Sequence, residues 1–269
     1  MPSYRRPASL AEASAFLAED PDAVLLAGGQ TLLVQIERRQ RHPSALVDIR
    51  GLPALKGIAP EGASLRIGAG TTHAEMAADP VLRRALPGLA ALAGGVGDPA
   101  VRHLGTLGGS LAAADPAGCY PPAAVALAAV VLTDRRETEA EAFFVAPGAT
   151  ALAQGEIVTG LRVPETARAG YVKLHNPASR NALTGVFVAE GPGGVRVAVT
   201  GAAEAGVMRH GEMEAALAER FHPDAVADVP TDPTGLRDDL HGSAAYRAHL
   251  VGMMARRAVA LACRLEGAV

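Results

Sequence analysis

Two glycine-rich segments constrain this 269-residue chain more than any other feature. The first, Ala27-Gly28-Gly29-Gln30-Thr31, follows the apolar run Val24-Leu25-Leu26, and the second is Gly105-Thr106-Leu107-Gly108-Gly109-Ser110. A glycine pair after a buried strand permits positive φ and lets backbone N–H groups approach an anion with no Cβ in between. Phosphate is the usual anion at such turns, so the two segments together predict a cradle for a phosphorylated ligand.

Each segment alone is also compatible with an ordinary turn. Neither segment has the Gly-x-Gly-x-x-Gly spacing followed by an acidic residue, and neither ends in the Gly-Lys-Ser/Thr of a nucleoside triphosphatase loop. The pattern therefore disfavours a Rossmann domain and a Walker site.

Composition excludes several classes of protein. With 49% apolar and 20% charged residues the chain is globular, and a formal charge of -3 with scattered basic residues argues against nucleic-acid binding. The apolar run at 123–132 is about half of the roughly 20 residues that span a bilayer, so no transmembrane helix is predicted. Cys119 and Cys263 cannot supply four ligands to an iron–sulfur cluster or structural zinc. Because no signal sequence is evident either, we expect a cytoplasmic protein.

Capping residues and hydrophobic periodicity predict three units. Residues 1–55 form an α/β unit in which Ser9 begins a helix and the first glycine segment joins a strand to a second helix. Residues 56–172 form another, with a strand at 65–68, a capping box at Thr72, helices at 86–96 and from Pro121 onwards, and closing strands at 156–163 and 170–174.

Residues 173–269 are predicted to form an α+β unit. The segments 185–189 and 195–199 read as a hairpin joined by Gly191-Pro192-Gly193-Gly194. The closing helix at 244–265 should cover one face of an antiparallel sheet with its apolar residues at helical spacing, which are Tyr246, Leu250 and Met253.

Three segments together resemble the FAD-binding medium subunit of the molybdenum hydroxylases, a family that includes carbon monoxide, xanthine and related aldehyde and aromatic-substrate dehydrogenases. They are 25–32, 97–110 and 239–246, and the resemblance extends over nearly the whole chain. It implies an α+β fold, in which a two-subdomain α/β FAD-binding domain of the PCMH and vanillyl-alcohol-oxidase type precedes a C-terminal antiparallel sheet with helices.

The resemblance also implies which residues bind FAD. The first segment and its strand would wrap the pyrophosphate, through Leu25, Leu26, Ala27, Gly28, Gly29, Gln30, Thr31 and Leu32. The second would contribute Thr106, Gly108, Gly109 and Ser110, the last standing where the family commonly has Asn or Asp. Val96 and Val158 would line the flavin or adenine pocket, although both are equally suited to a core.

Lys173 matches a lysine that the family places near the isoalloxazine, where a cation would stabilise negative charge that develops on reduction. A solvated surface lysine is the alternative. Cys119 stands where the family usually has an FAD-binding aspartate, in the run Asp115-Pro116-Ala117-Gly118-Cys119. Because a thiol is a poor acceptor, we expect a weakened hydrogen bond for which Asp115 could compensate, and a small buried residue is the alternative role for Cys119.

The resemblance implies an electron-transfer subunit. Its FAD would collect electrons from iron–sulfur clusters on a small subunit, which receives them from a large molybdenum subunit, and would pass them to NAD, oxygen or a quinone. A dimer of heterotrimers is implied, and no catalytic residue or metal ligand is predicted in this chain. Two alternatives remain open: a stand-alone FAD-dependent oxidoreductase, and a flavin-free scaffold subunit suggested by Cys119 and Ser110.

Overall fold

The computed structural model describes residues 2–177 and 179–266. The first unit is built on a parallel three-stranded sheet whose central strand is the last of the three in the chain. Its elements are β1 Ser3–Arg5, α1 Leu10–Glu19, β2 Val24–Leu26, α2 Leu32–Glu37 and β3 Ala45–Asp48. A 3-10 turn at Pro53–Leu55 then leads into the second unit.

The predicted start of α1 is confirmed, because the Ser9 side chain accepts a hydrogen bond from the Glu12 amide at 3.2 Å. The six residues of α2 differ from this pattern. None of them is buried, and Thr31 at its N-terminus makes no capping hydrogen bond through its side chain. This helix therefore depends little on apolar packing within the chain.

The second unit has an antiparallel five-stranded sheet, and most of its helices lie between the second and third of its strands in the chain. The strands are β4 Ile58–Glu61, β5 Ser64–Gly68, β6 Val130–Thr133, β7 Glu137–Glu139, β8 Phe144–Ala146, β9 Ala149–Thr150 and β10 Val158–Pro164. The order in the sheet is β4-β5-β10-β6-β7, and β8 and β9 pair separately.

The helices of this unit are short. They are α3 His73–Ala78, α4 Pro80–Ala85, α5 Pro87–Gly94, α6 Pro99–Leu104, α7 Leu107–Ala113, α8 Tyr120–Ala126 and α9 Ala140–Phe143. The capping box at Thr72 is confirmed, and Pro121 lies in the first turn of α8 as predicted. The apolar run beyond it was expected to continue that helix, but α8 ends at Ala126 and the run continues into β6.

The third unit has an antiparallel four-stranded sheet in the order of the chain. Its elements are β11 Arg168–His175, β12 Ala182–Gly191, β13 Gly194–Ala203, β14 Gly206–Arg209, α10 Gly211–Glu219 and α11 Ala244–Glu266. The predicted hairpin corresponds to β12 and β13. The strand predicted at 170–174 was wrongly placed in the second unit, because β11 pairs along its length with β12.

The closing helix α11 packs on β11 and β12 as predicted, but with a different face. Leu250 is buried, whereas Tyr246 and Met253 are 45% and 38% exposed. Alanine and valine account for five of the eight residues in the buried stripe, which comprises Arg247, Leu250, Val251, Met254, Ala255, Ala258, Val259 and Ala262. The larger apolar side chains at a spacing of seven were therefore a misleading guide to the core face.

Two apolar clusters hold the molecule together. The larger one joins the first two units and reaches the third sheet through Ala169, Phe187, Ala189 and Ala198. The smaller one fills the space between that sheet and the helices α10 and α11. Within the described residues, no helix has the length and apolar character needed to cross a membrane.

Candidate functional site

The two glycine segments come into direct contact at Gly28. A Cβ atom built on Gly28 would lie 2.3 Å from the carbonyl oxygen of Leu104 and 2.7 Å from the Cα of Gly105. Both distances are far below van der Waals contact, so any side chain at position 28 would separate the segments. The first prediction from the sequence, that the segments form one site, is supported by this packing.

The first segment presents free backbone amides. Gly29 has a φ of 73°, which directs the chain from β2 into α2, and the Leu33 amide then donates to the Gly29 carbonyl at 3.0 Å. The amides of residues 28–31 have no acceptor in residues 2–177 and 179–266. Such unpaired amides are the groups that bind a phosphate oxygen, and in a helix as short as α2 they matter more than its dipole.

Other side chains of the first segment keep this surface open. The Gln30 side chain folds back, with its Nε2 donating to the Gly28 carbonyl at 3.1 Å. The Thr31 side chain is exposed. On the strand before the turn, Leu26 is buried, while Leu25, Ala27 and Leu32 are half-buried.

The second segment forms the start of a helix and not an ordinary turn. Thr106 caps α7, its Oγ1 accepting from the Gly109 amide at 3.2 Å. The amides on either side of Gly109 are also occupied: Leu107 donates to Thr71 O at 3.0 Å, Gly108 to Ala69 O at 2.8 Å and Ser110 to Thr106 O at 3.1 Å. The amides of residues 107–110 are therefore used within the protein, unlike those of residues 28–31.

The two glycines of the second segment have different surroundings. A Cβ on Gly108 would lie 2.5 Å from the Cβ of Ala69, so Gly108 is required for packing against the strand end after β5. A Cβ on Gly109 would lie 3.9 Å from the Cβ of Ala27 and 3.0 Å from the Thr106 hydroxyl. Gly109 thus faces the first segment, and Ser110 beside it is half-buried.

The second segment packs against a buried histidine, His73. The His73 ring stacks on Tyr120, with centroids 5.1 Å apart, and its Nδ1 lies 3.0 Å from the Tyr120 hydroxyl. A Cβ on Gly105 would lie 2.7 Å from His73 Nε2. Burial, with a smaller contribution from the charge of Arg102, lowers the pKa of His73 to about 4, so the ring is neutral at pH 7.

The sequence did not identify this histidine as part of the site. His73 was visible only as the residue after a capping threonine, and its partner Tyr120 is 47 residues away. One sequence carries no signal for a contact of that kind.

Lys173 and Cys119 lie side by side. The Lys173 ammonium donates to Cys119 Sγ at 3.4 Å and to the Arg180 carbonyl at 3.1 Å. Cys119 is buried and Lys173 is half-buried. Burial, reinforced by the adjacent Cys119, raises the pKa of Tyr171, which lies two residues before Lys173 on the same strand.

Asp115 is already engaged by the protein. Its Oδ1 accepts from the Ala117 amide at 2.8 Å, and its Oδ2 accepts from the Asn181 side chain at 3.2 Å. The carboxylate therefore stabilises the turn that leads to Cys119. Its lone pairs leave room for a further donor, since an ionised carboxylate has about four acceptor positions.

The two valines predicted to line a pocket differ in burial. Val96 is half-buried, and its carbonyl accepts from the Arg102 side chain at 3.1 Å. Val158 is 6% exposed and lies on β10 within the larger apolar cluster. Packing alone accounts for Val158.

Comparison with known proteins identifies the family. The model for the FAD binding domain in molybdopterin dehydrogenase matches residues 1–166, which include both glycine segments. The chain is 33% identical to the carbon monoxide dehydrogenase medium chain of Hydrogenophaga pseudoflava and to the nicotine 6-hydroxylase medium subunit of Paenarthrobacter nicotinovorans, over 95% of each chain. The structure matches that of quinoline 2-oxidoreductase from Pseudomonas putida 86 with a TM-score of 0.87 and 29% identity, covering 98% of this chain and 97% of that one.

The chain thus belongs to the family of FAD-binding domains of molybdopterin dehydrogenases.

Proposed function

We propose that the chain is the FAD-binding medium subunit of a molybdenum-containing hydroxylase. In this role it takes electrons from iron–sulfur clusters of a small partner subunit, which relays them from a large molybdenum subunit, and delivers them to NAD, oxygen or a quinone. The observation that carries the proposal is the contact at Gly28, where two segments meet without a side chain and one of them offers four amides that have no acceptor among the described residues.

The residues fit a dinucleotide that contains a pyrophosphate. Backbone N–H groups are suitable hydrogen-bond donors to its negatively charged oxygens, and the amides of residues 28–31 supply such groups. We assign the pyrophosphate to Leu25, Leu26, Ala27, Gly28, Gly29, Gln30, Thr31 and Leu32, facing Thr106, Gly108, Gly109 and Ser110. When bound, the flavin supplies the exchange between one-electron and two-electron transfer, and the protein supplies position and charge.

We further assign Lys173, Cys119 and Asp115 to the end of the site that holds the flavin ring. Lys173 has no carboxylate within ion-pair distance among the described residues, so its charge is available to a ligand. Val96 would contact the cofactor at its half-buried side chain, and Val158 is the least supported member of the set because it lies in the core.

We propose a dimer of heterotrimers in the cytoplasm as the complete enzyme. The medium-chain names of the two relatives, each matched over 95% of its length, support an assembly with other subunits. We also propose three domains, at 1–55, 56–172 and 173–269. The pairing of β11 with β12 favours a second boundary a few residues earlier, before Arg168.

A visible absorption spectrum of the purified chain tests the proposal. We expect a flavin band, or its appearance when the chain is reconstituted with FAD, and co-purification of a large and a small subunit. A colourless protein after reconstitution would contradict the proposal. Reduction of the isolated flavoprotein by a small organic substrate would instead favour a stand-alone oxidoreductase.

The assignment of Lys173 has its own test, which is the midpoint potential of the bound flavin in Lys173→Met. Loss of a half-buried cation should lower the potential by roughly 20–60 mV, since about 30 mV corresponds to 1.4 kcal/mol for a two-electron couple. Cys119→Asp should also lower the midpoint potential, because the new carboxylate would pair with the Lys173 ammonium. An unchanged potential in both variants would remove Lys173 from the site.

A further inference from the structure

A buried arginine, Arg247, lies in the first turn of α11, directly after the third segment of the family resemblance, 239–246. Its side chain is 3% exposed. All five of its N–H donors have acceptors: Nε with Gly242 O at 3.4 Å, Nη1 with Leu183 O at 2.7 Å and Gly201 O at 2.9 Å, and Nη2 with the two Asp239 carboxylate oxygens at 2.7 and 2.8 Å.

This position is an unfavourable one for a cation. The N-terminal turn of a helix carries a partial positive charge, and removing a guanidinium from water costs free energy that only a complete set of hydrogen bonds offsets. Burial opposes ionisation of Asp239, yet hydrogen bonds from the His241 amide and from Arg247 lower the pKa of this carboxylate. The Asp239 carboxylate is therefore ionised at neutral pH, and its two hydrogen bonds with Arg247 hold the guanidinium in one orientation.

The geometry that Arg247 fixes is the end of the third sheet. Leu183 and Gly201, whose carbonyls it binds, lie at the adjacent ends of β12 and β13. Gly201 has a φ of 78°, and a Cβ there would lie 2.4 Å from the Ala182 carbonyl oxygen. The two strands are thus held at a close backbone approach that Arg247 bridges.

The same sheet end holds the segment 116–118 through four hydrogen bonds. The Gly201 amide donates to Pro116 O at 2.8 Å and the Ala182 amide to Ala117 O at 3.2 Å. The Thr200 hydroxyl lies 3.0 Å from both Pro116 O and Gly118 O. The next residue of that segment is Cys119, which contacts Lys173.

We infer that Arg247 is a positioning residue for the flavin site, acting through Leu183 and Gly201 on the segment that carries Asp115 and Cys119. The inference rests on the proposed function, since it assigns those two residues to the cofactor. It also gives a role to the third segment of the family resemblance, 239–246, because Asp239 and Gly242 in that segment accept hydrogen bonds from Arg247.

The test compares Arg247→Gln with Arg256→Gln in the full-length chain. Arg256 lies on the same helix as Arg247 and is the matched control. It pairs with Asp224 at 3.0 Å, and both of these side chains are more than half exposed. Two quantities are measured: amide hydrogen exchange at Ala182 and Gly201 without cofactor, and the dissociation constant of FAD from flavin fluorescence. We expect faster exchange and roughly tenfold weaker FAD binding in Arg247→Gln only.

A double-mutant cycle separates positioning from general destabilisation. Thr200→Val removes the hydroxyl bonds to the segment directly, so its effect on FAD affinity should not add to that of Arg247→Gln if both act through the same segment. Asp239→Asn, which leaves the side-chain shape intact, serves as the milder variant if Arg247→Gln does not fold.

The outcomes are distinguishable. Unchanged FAD affinity in Arg247→Gln and Asp239→Asn, or additive effects in the cycle, would overturn the positioning role while leaving the proposed function in place. A wild-type chain that binds no FAD would overturn the proposed function itself, and the inference with it.

Discussion

The two glycine segments look alike in the sequence and differ in the structure. The first ends a strand and leaves four consecutive amides without acceptors among the described residues, whereas the second begins a helix and has the amides of Gly105 and of residues 107–110 occupied. Glycine at position 28 is required by a backbone contact between the segments, and glycine at position 108 by a contact within the second unit. The same residue type therefore joins the two segments at position 28 and packs the second segment against its own unit at position 108.

The difference indicates a division of labour in holding the cofactor. Free amides bind phosphate oxygens directly, so the first segment should control affinity. The second segment should act mainly as a rigid surface, supported by His73 and by the capping bond of Thr106. Substitutions in the two segments should then separate effects on binding from effects on stability.

The largest effect is expected from Gly28→Ala. Its Cβ would lie 2.3 Å from the Leu104 carbonyl oxygen, so the segments must move apart, and FAD affinity should fall roughly 100-fold or more, equivalent to about 3 kcal/mol. Fluorescence titration with FAD measures this. The control is Gly252→Ala in α11. A Cβ at that position would have no atom within 4 Å, so the substitution should stabilise the helix by about 0.5–1 kcal/mol. Wild-type affinity in Gly28→Ala would show that the segments are not a single site.

A second prediction concerns pH and the support beneath the second segment. Because the folded-state pKa of His73 is about 4 while the unfolded side chain has its ordinary value near 6.5, the unfolded chain binds a proton first as the pH falls. The free energy of unfolding should drop by about 1–3 kcal/mol between pH 6.5 and 4 through this group. Urea unfolding at several pH values should find a flatter pH dependence in His73→Gln, and an unaltered one in His103→Gln, whose side chain is exposed. Equal pH dependence in wild type and His73→Gln would contradict the assignment.

Local features of the fold were predictable because their causes are local. The caps at Ser9 and Thr72, the strand before Gly28 and the hairpin over β12 and β13 each depend on residues a few positions apart. The helical start of the second segment was not predictable from the sequence. Two glycines lower its helix propensity, and the carbonyl groups that accept from its amides, those of Ala69 and Thr71, are distant in sequence.

Long-range pairings explain the remaining differences. The sequence identified 170–174 as a strand but could not identify its partner, because pairing of β11 with β12 is a property of the whole sheet. Lys173 and Cys119, 54 residues apart, were each singled out on the family resemblance, yet their mutual contact was not foreseen. Arg247 carried no signal at all, since a buried arginine contradicts its usual place on the surface.

The glycine pair of the second segment offers a finer test of the division of labour. Gly108→Ala should lower stability by about 1–3 kcal/mol, because its Cβ would lie 2.5 Å from that of Ala69. Gly109→Ala faces the first segment instead, so it should leave stability within about 0.5 kcal/mol and weaken FAD binding roughly tenfold. Urea unfolding and FAD titration on both variants decide this. If Gly109→Ala binds FAD normally, the second segment makes no close contact with the cofactor.

The smallest expected effects come from the threonine of each segment. Thr106→Val removes the cap of α7 and should cost about 1 kcal/mol of stability, whereas Thr31→Val removes no capping bond and should leave stability within about 0.5 kcal/mol. For FAD affinity the ranking reverses, because the exposed Thr31 hydroxyl is free to donate to a phosphate oxygen and its loss should weaken binding roughly five- to tenfold. Thermal unfolding and FAD titration of both variants measure the two quantities independently. Equal losses of stability in the two variants would mean that the segments share a structural role, and the contrast between them would then rest on the amides alone.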